Sequence, residues 1–280
     1  MISFGPGGNS LSWGKRKFPQ DLPQYLAEFG LNGYEIECGR GVRISDDTVK
    51  LLPGIAKEHG IYVTLHAPYF ISLSSVEEEK RQNSVNYILE SARAARSVGA
   101  RKIVVHSGSC SKMTRAEALY LAKGTLRAAQ KALDEDGLSD IIICPETMGK
   151  INQLGTLDEV LELCGVDERF LPTVDFGHLN ARTLGEIKSR EDYAKMLDSI
   201  EDALGYDRLS NMHVHFSKIE YTKGGEKKHL TFTDKVFGPE YEPLMEEFHM
   251  RGLSPSIICE SDGTQAEDAA EMKRYYENLK

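Results

Sequence analysis

Short apolar runs recur along the whole chain, at residues 2–4, 33–38, 61–66, 102–106, 141–144, 171–175, 212–216 and 257–260. Their near-continuous hydrophobicity predicts eight strands buried on both faces, as in a parallel sheet. The stretches between them carry helical signals. Val85, Ile88, Leu89, Ala92 and Ala95 recur at helical spacing, with Arg93 and Arg96 off that face. Ser75 with Glu78, Thr114 with Glu117, Thr156 with Glu159 and Thr264 with Glu267 have capping-box spacing. Gly99, Gly137, Gly165 and Gly205 stand where helices should end. Eight strands alternating with helices predict an α/β fold, a (β/α)8 TIM barrel forming a single domain over residues 1–280. The competing doubly wound sheet lacks a Gly-x-Gly-x-x-Gly after its first strand. Gly224-Gly225 reads as a loop after the seventh strand, too short to be a linker.

Composition narrows the function classes. The chain has 280 residues, 34 Lys+Arg against 43 Asp+Glu and a net charge of −9. With 40% hydrophobic residues there is enough apolar material for a core, which excludes disorder as the main state. The acidic balance argues against holding nucleic acid by bulk charge, though not against a local basic patch or contact through metal ions. The start shows no basic segment followed by an apolar one, and the aliphatic runs are far too short to cross a bilayer, so no membrane partner is expected. Five cysteines, an odd number without a C-x-x-C pair, are expected to be free thiols in a reducing cytoplasm.

The histidines and acids fall at the ends of the predicted strands. His66 closes the third and His106 the fourth. Glu146 follows the fifth, Asp175 ends the sixth with His178 just beyond, His213 and His215 lie in the seventh, and Glu260 ends the eighth. In a parallel barrel every strand opens onto the same face, so residues distant in sequence converge on one axis. Imidazole and carboxylate are ligands of Zn²⁺, Mn²⁺ or Fe²⁺ alike, and several carboxylates in one cavity repel each other without a cation. The donors exceed what one tetrahedral ion needs, and paired ions suit phosphodiester hydrolysis. His213 and His215 share strand parity, so the strand alone does not choose between them. His59 and His249 read as surface residues.

These motifs resemble the endonuclease IV family, metal-dependent apurinic/apyrimidinic endonucleases on a TIM barrel, over nearly the whole chain. The resemblance rests on His66-Ala67-Pro68-Tyr69, Val105-His106-Ser107-Gly108-Ser109, Pro145-Glu146-Thr147-Met148-Gly149, Asp175-x-x-His178, Met212-His213 with Ser217-Lys218, and Cys259-Glu260-Ser261. It implies two or three zinc ions and cleavage of DNA on the 5′ side of abasic sites in base excision repair. In that picture Glu146 bridges two ions and is catalytic. His66 and His106 hold one ion, Asp175, His213 and Glu260 another, and His178 and His229 a third. Tyr69 matches a loop aromatic that helps open the duplex. The chain departs from the pattern at Glu226-Lys227-Lys228-His229, where Lys227 takes the place of an Asp ligand; either Glu226 substitutes by a one-residue shift or only two ions bind. Arg40 and Arg43 are the local candidates for the family's DNA-penetrating residues.

Three functions follow. The first is a metal-dependent phosphodiesterase acting on damaged DNA, with Lys223, Lys227 and Lys228 as candidate phosphate contacts. The second is a sugar isomerase or epimerase of the xylose-isomerase-like superfamily, resembled at Glu146, Asp175, His213 and Glu260, where one divalent ion and two carboxylates act on a small-molecule sugar. His66 and His106 favour the first, because a one-metal isomerase does not need them. The acidic surface favours the second. A non-catalytic metal-binding protein is the third.

Overall fold

The computed structural model describes residues 2–280. Its strands are β1 (Ser3–Pro6), β2 (Gly33–Glu37), β3 (Tyr62–His66), β4 (Lys102–His106), β5 (Ile142–Glu146), β6 (Thr173–Asp175), β7 (His213–Phe216), β8 (Lys218–Thr222), β9 (Gly225–Leu230) and β10 (Ser256–Cys259). Its α-helices are α1 (Leu22–Phe29), α2 (Asp46–His59), α3 (Glu78–Ser97), α4 (Arg115–Glu135), α5 (Leu157–Cys164), α6 (Phe176–Arg182), α7 (Arg190–Leu204), α8 (Tyr206–Ser210), α9 (Glu242–Arg251) and α10 (Gln265–Glu277). Eight parallel strands follow one another in the order β1-β10-β7-β6-β5-β4-β3-β2. The ring closes between β1 and β2, where Gly8 N–H donates to the Glu35 carbonyl at 3.0 Å and Asn32 N–H to that of Phe4 at 3.1 Å. That approach needs glycine: a Cβ on Gly5 would fall 2.0 Å from the Gly33 carbonyl oxygen. The fold is the expected single-domain TIM barrel.

Each barrel strand coincides with one of the apolar runs, within a residue or two. Helix signals fared unevenly. Thr114 and Thr156 form complete capping boxes with Glu117 and Glu159. Ser75 does not cap, since α3 starts at Glu78 behind Glu77, and the Thr264 hydroxyl is drawn to Asp268 instead of the helix N–H groups. The apolar stripe of α3 buries Val85, Ile88, Ala92 and Ala95 against the barrel, and α4 does the same with Ala118, Ala122, Leu126 and Ala129. All five cysteines are buried and free. No helix among the described residues is long and apolar enough to cross a membrane.

Two features set the barrel mouth. The segment after β5 is clamped by α6: Arg182 donates to the carbonyls of Met148 (3.1 Å), Lys150 (2.8 Å) and Gln153 (2.6 Å). Gly224-Gly225, expected as a plain loop, instead forms the turn of an antiparallel hairpin, β8–β9, inserted after β7 as a separate two-stranded sheet. Gly225 has φ +88°, and a Cβ there would lie 2.3 Å from the Gly149 carbonyl oxygen, so glycine lets the hairpin seat on the β5 loop.

Leu126 has no exposed surface. Leu126→Ala is expected to cost about 2–5 kcal/mol of stability in equilibrium denaturant unfolding, through lost burial and a residual cavity.

Candidate metal centre

Parallel registers bring the strand ends level. His106 pairs with Glu146, Asp175 with His215, and Glu37 with His66. Glu146, 1% exposed, uses its two oxygens in two directions. Its Oε2 lies 3.4 Å from His66 Nε2 and 3.3 Å from His106 Nε2. Its Oε1 lies 3.0 Å from His215 Nδ1, which is also 3.5 Å from Glu260 Oε1. Asp175 caps α6 by accepting the His178 backbone N–H at 2.8 Å on Oδ1, has Oδ2 3.1 Å from His178 Nδ1, and shares a donor group with Glu146, His215 and Glu260.

Two rings have their tautomers set by carbonyls, which only accept hydrogen bonds. His66 Nδ1 lies 2.8 Å from its neighbour's carbonyl at Ala67, and His178 Nδ1 lies 3.0 Å from that of Thr147. Each Nδ1 therefore carries the proton. His66 Nε2 is left facing Glu146, and His178 Nε2 faces Glu226 at 3.5 Å. This outer support of a ligand ring is typical of metal sites.

The structure corrects the choice within β7. His215, not His213, pairs with Asp175 in register, and its Nδ1 is the nitrogen that reaches Glu146 and Glu260. His213 shares its face but sits one strand period deeper, beside Thr173 and Ser256. There its Nε2 meets Glu35 Oε2 at 3.0 Å and its Nδ1 meets Ser256 Oγ at 3.0 Å. Glu35, absent from the sequence reading, is fully buried and also touches His215 Nε2 through Oε1 at 2.8 Å. A signal existed: in Gly33-Tyr34-Glu35-Ile36-Glu37, two acids two residues apart point to one face of a strand otherwise fit for burial.

The hairpin shows which of residues 226–229 face the cleft. Opposite β8, Glu220 pairs with Lys228 and Tyr221 with Glu226, so Lys227 is the extra residue of a β-bulge. In a regular strand Glu226 and His229 would face opposite ways. The bulge puts both on the inner side, where they gather with His178 into a third donor group. Lys227 turns outward to Glu220 at 2.5 Å, with Lys228 Nζ 3.8 Å from the same carboxylate, so neither cation lines the cleft. Lys150 and Gln153, which the sequence reading did not single out, do. This cleft, about 450 Å³, also contains His66, His106, Glu226 and Tyr69. Tyr69 is 55% exposed and stacks on the His106 ring at 5.2 Å.

The electrostatics ask for cations. Glu146 Oε2 and Asp175 Oδ2 are buried oxygens without a hydrogen-bond donor, a costly state for an ionised group. Burial raises the Glu260 carboxyl to about 8, with Glu146 and Asp175 adding to the shift against the pull of His215. Burial would depress the His66 imidazole, but Glu146 and Glu37 outweigh it and lift it to about 10. The same contest, won by Asp175 and Glu226, lifts His178 to about 9. For His106 burial prevails, lowering it to about 3. Without metal the centre thus stores protons where a cation would relieve the same repulsion. Orphaned oxygens, fixed tautomers and mixed nitrogen–oxygen donors fit divalent ions of the zinc, manganese or iron type.

Residues 23–279 match the family described as the xylose isomerase-like TIM barrel, and the chain belongs to that family. It is 32% identical over 279 residues to an uncharacterized protein of Methanocaldococcus jannaschii, covering 99% of this chain and 98% of that one. It is 30% identical over 173 residues to a protein of Acholeplasma laidlawii named probable endonuclease 4, covering 59% of this chain and 57% of that one. Among solved structures, a D-tagatose 3-epimerase-like protein superposes with a TM-score of 0.71 at 21% identity, covering 98% and 97% of the two chains.

Two outcomes are expected. Ligand groups must shed protons to bind metal, and His66, His178 and Glu260 hold theirs near neutrality. Metal affinity should therefore rise with pH between about 6 and 9, and calorimetry in buffers of different ionisation enthalpy should show net proton release. A pH-independent affinity would contradict the site. Glu226→Gln should lower the number of ions bound per chain, measured by elemental analysis, whereas Lys227→Ala should leave it unchanged; an unchanged count in Glu226→Gln would remove Glu226 from the site.

Proposed function

We propose that the chain is a metal-dependent phosphodiesterase that hydrolyses DNA on the 5′ side of abasic sites. The observation that carries this reading is the double use of Glu146, one oxygen toward His66 and His106 and the other toward His215. A carboxylate so placed suits two adjacent cations, and His178, Glu226 and His229 offer a third position. Bound divalent ions supply Lewis-acid stabilisation of phosphoryl oxygens and a nucleophile at neutral pH. The protein's own part is to hold and orient. Glu146 and Asp175, immobilised by burial, fix the two inner positions relative to each other. Lys150, at the wall of the cleft, is placed to contact a phosphate, and Tyr69 offers an exposed ring face at the rim to an unstacked base or sugar.

A second reading keeps one ion in Glu146, Asp175, His215 and Glu260, a complete four-donor set by itself. It makes the chain a sugar epimerase, with carboxylates moving a proton beside a carbonyl. The net charge of −9 suits a small substrate better than DNA. His66, His106 and the hairpin donors have no task in that reading, which is why we place it second.

The test is to incubate zinc-loaded protein with a duplex containing one abasic-site analogue while counting bound metals. Specific 5′ incision with two or three ions per chain is expected, falling by at least ~10²-fold in Glu146→Gln. One ion per chain, with no nicking above the Glu146→Gln control, would sink the phosphodiesterase in favour of the epimerase.

A further inference from the structure

Below the metal centre, a file of buried polar side chains runs down the inside of the barrel to its opposite end. Lys102, at the start of β4, is buried, and its Nζ lies 2.7 Å from the Asn211 carbonyl, 3.5 Å from that of Met212 and 3.0 Å from Ser256 Oγ. Its ring neighbour is Tyr62, at 5.6 Å. Ser256 Oγ lies 3.0 Å from His213 Nδ1. His213 Nε2 lies 3.0 Å from Glu35 Oε2, and Glu35 Oε1 lies 2.8 Å from His215 Nε2. Thr64 donates to Glu35 Oε2 at 2.7 Å.

The directions in this file can be read upward from its lower end. An ammonium has three donors and no acceptor, and Lys102 has three oxygens around it. Ser256 accepts from Lys102, and the column assigns its hydroxyl proton to His213 Nδ1 at 3.0 Å rather than to Tyr62, its other neighbour. His213 therefore carries its proton on Nε2 and donates it to Glu35. Glu35, acceptor only, takes donors from Thr64, His213 and the Nε2 of His215; the two ring Nε2 atoms, 3.1 Å apart, then each donate to their own Glu35 oxygen and not to each other. The Nδ1 of His215 is then the nitrogen turned to Glu146 and Glu260, available to a metal.

We propose that Lys102, Ser256, His213 and Glu35 form a positioning column that fixes the ring orientation and tautomer of His215, and so tunes metal affinity from the closed end of the barrel. The column rests on the assignment of a metal position at Glu146 and His215, and is independent of which substrate is turned over. His213, displaced from the ligand set, gains a role here as the link between a serine and a carboxylate.

The experiment uses the full chain labelled with ¹⁵N at histidine. In metal-free protein, the His213 ring should show the Nε2–H tautomer in long-range ¹H–¹⁵N spectra, assigned with His213→Gln. In zinc-loaded protein, His215 should retain Nε2–H. Glu35→Gln cannot accept from both rings at once, because its amide nitrogen only donates. It should disturb at least one tautomer and weaken zinc binding by roughly 10–100-fold. Ser256→Ala, a milder change in case Glu35→Gln does not fold, should destroy the single tautomer of His213 and weaken zinc binding, and Ser256→Thr should restore both. An Nδ1–H tautomer at His213, or unchanged zinc affinity in Ser256→Ala, would overturn the column. If the parent bound no zinc at all, the metal assignment would fail while the His213 tautomer still reported on the column itself.

Discussion

Glu35, Glu146, Asp175 and Glu260 crowd the upper half of a barrel whose remaining wall is largely aliphatic. Their mutual repulsion, undiminished by solvent, is the condition to which the rest of the molecule is fitted. Each carboxylate is answered by imidazole: Glu35 by two rings, Glu146 by three within 3.4 Å, Asp175 by His178 at 3.1 Å and Glu260 by His215 at 3.5 Å. Protons on those rings can neutralise part of the charge, but Glu146 Oε2 and Asp175 Oδ2 still lack donors. Close packing elsewhere, from the α3 and α4 stripes to the Arg182 clamp on the β5 loop, keeps these groups from drifting apart to solvate themselves.

Which residues were legible from sequence depends on how each is placed. The convergence of strand-end residues such as His66, His106, Glu146 and Asp175 is legible because parallel topology converts a position in a motif into a position in space. Glu35 was hidden inside a strand, where an acid in an apolar run looks like an exposed edge. Lys102 was hidden for the matching reason, since a lysine opening a strand normally reaches solvent. His213 and His215 share one face, so parity could not separate them; only the register of β7 against β6 and β10 does. The helix caps show the same limit, with Thr114 and Thr156 engaging their glutamates while Thr264 turns to Asp268.

The barrel alone does not discriminate function, because an epimerase-like protein superposes on it throughout and a relative by sequence bears an endonuclease name. Discrimination has to come from side chains, above all those outside the four-donor group of Glu146, Asp175, His215 and Glu260. His66 and His106 come from β3 and β4, on one flank of Glu146. The remaining donors come from the opposite flank, partly from a segment that is not part of the barrel at all.

That segment, the β8–β9 hairpin, has a consequence for how such a centre can change over time. Its strand pairing is self-contained, and it is seated on the β5 loop, on α6 and on the segment after β9 rather than hydrogen-bonded into the barrel sheet. One inserted or deleted residue at the Lys227 bulge exchanges which side chain faces inward while the turn at Gly224-Gly225 stays put. In the proposed metal centre, the number of donor groups is therefore an adjustable quantity, set in part by an appendage, while the inner donors are locked into the barrel wall. A lineage could move between one-ion and multi-ion chemistry by small indels there, and position-by-position alignment would misread the event as the loss of a ligand.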